Sequence, residues 1–147
     1  MNRSLIILVI LTLLSVGCIG NNEEDTVQIT DSNLKAYSHV ELIHFHGNNQ
    51  CYSCQAVGVY AEATVNEYFA DEIHSGDLVF RHVNYDLPEN RELAKRYGAA
   101  YSSLWIGTYN ENGFTAEQNV NVWYLINDKE KYTAYLRGVI NEKLEGL

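Results

Sequence analysis

Cys51-Tyr52-Ser53-Cys54 sets two thiols at a spacing that lets them cycle between a dithiol and a disulfide. In such exchange the thiolate attacks, so the chemistry asks for a place that favours the anion. A helix start is such a place, through its unpaired amide N–H groups and its dipole. Cys51 is expected there, with Cys54 one turn further in and shielded. Cys51 then attacks and Cys54 resolves the mixed disulfide. The same spacing also suits a metal ion, or an inert disulfide in an oxidising compartment. His44 is the next titratable candidate, its reference pKa being about 6.5; a histidine satisfied within the core is the competing reading. His46 is expected on the face opposite His44, meeting Cys51 only if the loop at Gly47 turns back. His44, His46, Cys51 and Cys54 together form a candidate soft-metal set for Cu(I) or Zn(II). Opposite facing of the two histidines argues against that set. His39, His74 and His82 are read as surface or packing residues.

The elements that must position the cysteines follow from the residues on either side. Residues 41–47, Glu-Leu-Ile-His-Phe-His-Gly, read as a short buried strand over 40–45 that ends in glycine. Residues 55–74 carry apolar side chains at helical spacing, with Gly76 able to take the left-handed cap. Residues 78–85 read as a second strand. Strand, helix and strand in this order predict a right-handed crossover and a parallel pair. Residues 86–90 form a turn around Pro88, the one proline. Asn90 is expected to cap a helix over 91–97 that Gly98 closes. A third strand over 104–109, the turn Asn110-Glu111-Asn112-Gly113 and a returning strand over 114–118 follow. Residues 120–126 fit strand by composition and helix by continuity. Residues 128–144 are helical, with Tyr132, Tyr135, Leu136, Val139, Ile140 and Leu144 on one face. The predicted fold class is α/β, ordered β-α-β-α-β-β-α, with a central mixed sheet flanked by helices.

The whole chain sets the frame. Its 147 residues suit one domain, and 46% apolar content suffices for a core. A net charge of −9 without a Lys/Arg cluster excludes nucleic acid and an electrostatic grip on anionic lipid. Three cysteines exclude a disulfide scaffold. At the N-terminus, Arg3, the apolar run over 5–14 and Ser15-Val16-Gly17 before Cys18 read as a targeting segment. The run is too short for a comfortable membrane span of roughly 20 residues. The expected division is a signal over 1–17, a polar acidic tether over 18–36 and a folded domain over 37–147.

Two resemblances sharpen these expectations. The apolar run closing on Ser15-Val16-Gly17-Cys18 resembles the lipobox of prokaryotic lipoproteins, with Ser15 where leucine is usual. That implies lipid on Cys18, or failing that an uncleaved apolar anchor, and a domain at the extracytoplasmic face of the cytoplasmic membrane. The element order with C-x-x-C at the first helix resembles the thioredoxin fold. Val83-Asn84-Tyr85-Asp86, a proline, a short helix and Tyr97-Gly98 are similar to the thioredoxin segment that leads to its second active-site loop. Within that superfamily, Phe45-His46-Gly47 and Trp123 ahead of Asp128-Lys129-Glu130-Lys131 resemble the thioredoxin-like proteins known as nitrophenyl compound nitroreductase subunit ArsF. The likeness covers about residues 41–144 and tilts residues 120–126 toward helix.

The thioredoxin resemblance implies a thiol–disulfide oxidoreductase acting on a protein partner. It puts His44 near the buried acid that serves the resolving cysteine, a role that imidazole could fill. It puts Ser103 where thioredoxins carry a cis-proline; a cis bond without proline costs about 2.5–4 kcal/mol, so a trans loop is expected. Tyr101, Ser102 and Ser103 are then expected to face the cysteines and pair with an extended substrate segment. Nothing resembles a flavin site, and no cofactor is expected. The rival readings are a soft-metal carrier and a non-catalytic subunit of a membrane redox complex.

Overall fold

The computed structural model describes residues 38–147; the readings made for the signal, for Cys18 and for the tether lie outside the described residues. The chain runs β1 (His39–His46), α1 (Tyr52–Tyr68), α2 (Ala70–Ser75), β2 (Leu78–Asn84), α3 (Arg91–Tyr97), β3 (Ser103–Asn110), β4 (Gly113–Gln118) and α4 (Lys129–Glu145). Short 3-10 turns at Pro88–Asn90 and Asn121–Tyr124 join them.

The apolar run ahead of the cysteines becomes β1, buried along its length except at its two ends. Such a strand belongs inside a sheet, and the strand order is β2-β1-β3-β4. β1 pairs parallel with β2 and antiparallel with β3, and β4 closes a hairpin on β3. The parallel pair needs a crossover, which α1 and α2 supply.

Alternation along β1 divides the interior into two cores. Val40 and Leu42 face α1 and α4, packing with Val57, Ala61, Val65, Leu104, Ile106, Leu136 and Ile140. Ile43 and Phe45 face the other way, onto Val83, Ala94 and Tyr97 around α3. Glu41 sits in that second face, nearly buried. Its carboxylate accepts from Arg81 at 2.6 Å, from the Tyr97 hydroxyl at 2.6 Å and from the Tyr109 hydroxyl at 3.1 Å. One side chain thereby ties β1 to β2, α3 and β3. Burial and the adjacent Glu41 carboxylate push the Tyr97 phenol far above its usual range, so it stays a donor.

Three expectations change. The helix expected over 55–74 starts earlier, at Tyr52, and breaks at Phe69, whose backbone (φ −133, ψ 29) leaves the helical region as its ring enters the core. Asn90 does not cap α3 with its side chain, which instead donates to the Asn84 carbonyl at 2.9 Å. Residues 120–126 hold a 3-10 turn that buries Val122. Among the described residues no helix is long and apolar enough to cross a membrane.

Candidate functional site

The cysteines sit where β1 hands over to α1. The loop between them is pinned to the end of β2. The Asn48 N–H donates to Asp86 Oδ2 at 2.7 Å, and Asn84 Nδ2 donates to Asn48 Oδ1 at 2.8 Å. Gly47 lets the loop pass close to β2: a Cβ there would lie 2.8 Å from the Tyr85 hydroxyl, so a larger residue would require that ring to shift. Cys51 occupies the N-cap of α1 with extended backbone, and its Sγ accepts from the Cys54 N–H at 3.2 Å. A sulfur held there faces the unpaired amides of the first turn, the environment that stabilises a thiolate once the pair is reduced. The two sulfurs are joined, with Cα atoms 5.1 Å apart, inside the range a disulfide accepts. Cys51 is exposed, Cys54 half-buried, and Tyr52 between them stands 77% exposed.

Three imidazoles gather beneath this turn. Residues i and i+2 of a strand share a face. His44 and His46 therefore lie on the same side of β1, with ring centroids 5.5 Å apart, which corrects the expectation of opposite faces. The parallel register sets His82 opposite His44, and their Nδ1 atoms lie 3.0 Å apart. His82, which the sequence alone reads as a surface or packing residue, thus joins the cluster through strand register. Aligning the apolar runs of the two strands, Leu42 beside Phe80, would have brought His82 to His44. His82 Nε2 lies 3.5 Å from Glu62 Oε2 on α1. His46 Nδ1 lies 3.0 Å from the Gly47 carbonyl and 3.2 Å from Gln50 Nε2.

His44 is 2% exposed. Its ring fills the space where a Cβ on Gly58 would stand, so α1 lies unusually close to β1 at that point. Burial, followed by the neighbouring His82 and His46, lowers its pKa to about 4, against a weaker upward pull from the Cys54 carbonyl. His44 Nε2 is buried with no hydrogen-bond partner. A cavity of about 210 Å³ opens among His44, His46, Gln50, Gln55, Val59 and His82.

Tyr101, Ser102 and Ser103 lead into β3. Ser103 pairs with Phe45, which puts this segment at the sheet end where β1 delivers the cysteines. Among the described residues no peptide bond is cis. The Ser103 hydroxyl donates to the Tyr101 carbonyl at 2.8 Å and accepts from Trp105 Nε1 at 2.9 Å. Tyr101 is 58% exposed, with its hydroxyl donating to Gln118 at 3.0 Å. Among the described residues, no group of three or more His, Cys, Asp and Glu side chains is arranged to hold a metal ion.

No protein-family model matches the chain, and no curated protein matches it significantly. One similar solved structure is the crystal structure of the Trx4 domain of ERdj5. It is 17% identical and superposes with a TM-score of 0.50 over 74% of this chain and 82% of that one. The fold is thioredoxin-like. At this identity the likeness concerns the architecture alone. Within the thioredoxin-like frame the Cys51–Cys54 disulfide sits at the start of the first helix, which makes thiol–disulfide chemistry available.

Proposed function

We propose that this thioredoxin-like domain is a thiol–disulfide oxidoreductase that exchanges with a protein partner. The observation that carries the reading is the joined Cys51–Cys54 pair, with exposed Cys51 capping α1. In the reductive direction the Cys51 thiolate attacks a sulfur of the partner's disulfide, and the partner's other sulfur leaves as a thiolate. Cys54 then attacks Cys51, the Cys51–Cys54 bond forms, and the partner's second thiolate departs. The reverse sequence oxidises a partner dithiol. The β1–β3 ladder ends at Ser103, so the backbone of Tyr101 and Ser102 lies outside it, which supports strand addition by a substrate segment. A lipid on Cys18, or an uncleaved apolar segment, would hold the domain at the extracytoplasmic face of the membrane. Membrane fractionation of the full chain checks this, with Cys18→Ser expected in the soluble phase if lipid is the anchor.

The deciding experiment is alkylation of the reduced protein as a function of pH. Cys51 should react with a midpoint clearly below the free-cysteine value of about 8.5. Cys51→Ser should abolish exchange with a model protein disulfide. A midpoint at or above that value, with Cys51→Ser as active as wild type, would overturn the exchange reading and favour a non-catalytic subunit of a membrane redox complex with a passive disulfide.

A further inference from the structure

Over its first turns α1 is apolar on both faces. Val57, Ala61 and Val65 turn inward to the core. Tyr52, Ala56, Val59 and Tyr60 follow the i, i+4, i+7, i+8 spacing of the opposite side. Tyr52 stands far into solvent, and Val59 is 55% exposed. A surface helix ordinarily turns charged and polar residues outward, whereas a helix apolar all round is ordinarily covered on every side. Residues 47–61 carry no charged side chain, although the chain is 20% charged with a net charge of −9. The outward face is therefore a neutral, apolar strip on an acidic protein. It begins at the residue that follows exposed Cys51.

The strip is hollowed into a groove of about 190 Å³ lined by Tyr52, Gln55, Ala56, Val59 and Tyr60. The Gln55 amide at its rim is engaged, donating to the Gln50 carbonyl at 3.3 Å. The Tyr60 ring is braced edge-on against the buried Tyr132 ring, with centroids 5.5 Å apart, which fixes one wall. Ala56, small and buried, leaves the space between the larger side chains open. The groove is smaller than the roughly 300–1,000 Å³ of small-molecule sites, so it suits a single side chain.

We propose that this groove selects the partner, by receiving one apolar side chain that lies beside the partner's reactive disulfide. The proposal rests on the reading of Cys51 and Cys54 as an exchange pair, and names the class of segment they act on. Tyr52 belongs both to the cysteine turn and to the groove wall, so a side chain seated there holds its segment next to Cys51. The segment that fits is uncharged. A charge entering the groove would lose water and meet no opposite charge. The backbone of Tyr101 and Ser102 reads main chain, whereas the groove reads a side chain, so the two contacts are complementary.

Three disulfide-bonded peptides that differ in one residue beside the cysteine (leucine, serine or lysine) test this with the reduced full chain. The leucine peptide should be reduced at least about tenfold faster than the serine peptide. That ratio should be the same at low and high salt, since no charge contributes to it. Val59→Asn removes an exposed apolar wall without adding charge, and should bring the ratio below about threefold. Each ratio is taken within one protein, so a general loss of thiol reactivity cancels. Equal rates on the leucine and serine peptides overturn the proposal, as when a second copy or the chain's own apolar run covers the groove. A ratio that Val59→Asn leaves intact also overturns it. So does a preference for lysine that fades with salt, which would make the acidic surface the selector. Failure to reduce any of the three, or a small disulfide without flanking residues, would instead remove the exchange reading and the proposal with it.

Discussion

His44 carries a stability signature on the acid side of neutrality. In the unfolded chain its pKa returns to about 6.5, whereas the folded value is about 4. Between these pH values the unfolded chain binds a proton that the folded protein refuses, so stability falls as pH drops through the window. The full shift corresponds to about 3 kcal/mol, complete near pH 4. Urea midpoints at pH 7 and pH 4.5 should separate widely for wild type and less for His44→Phe; equal pH dependence in the two would refute the assignment. The sequence pointed to His44 but missed its partner for a physical reason. Which residues neighbour each other along a strand is local information, whereas His44 meets His82 only through the register of two strands joined by a long crossover. Cys51 and Cys54 needed no such knowledge, since their spacing is itself local.

At the scale of elements, the contact between α1 and β1 turns on Gly58. Alanine is favoured over glycine within a helix by about 1 kcal/mol. Here its Cβ would collide with the His44 ring, and overpacking costs about 1–3 kcal/mol. Gly58→Ala is therefore expected to destabilise the domain in urea titration, against its propensity. In the background of His44→Ala the same change should turn neutral or stabilising, a coupling that a double-mutant cycle measures. Element order was legible because each strand and helix carries its own period. The break at Phe69 was not, since Tyr68-Phe69-Ala70 contains neither glycine nor proline, and burial of one ring decides it. Residues 120–126 were undecidable for a related reason: Val122 fixes that turn by docking into a core built from distant residues. Asn90 was misread because a capping residue and a turn residue have the same chemistry; the open Asn84 carbonyl claims its side chain.

For the molecule as a whole, the two cores lie on opposite faces of the sheet and neither includes the cysteines. The disulfide also closes only a very short loop, whose chain-entropy contribution is about 2 kcal/mol. Reduction is therefore expected to lower unfolding stability by no more than about 2 kcal/mol and to leave the far-ultraviolet circular dichroism unchanged. A collapse of the fold on adding reductant would show that the pair is a structural staple, which is incompatible with cycling. The apolar content that a core needs was legible from composition; the division into two cores was not, because it depends on which face each helix covers.

β1 enters the described domain at His39 and ends beside the cysteine loop at His46, a run of about 25 Å at ordinary strand rise. Entry and reactive sulfur thus sit at opposite poles of the sheet. A bead, an electrode or a fluorophore coupled ahead of β1 would leave the Cys51 end pointing outward, so immobilised protein should present its sulfurs to the solution without any redesign of the domain.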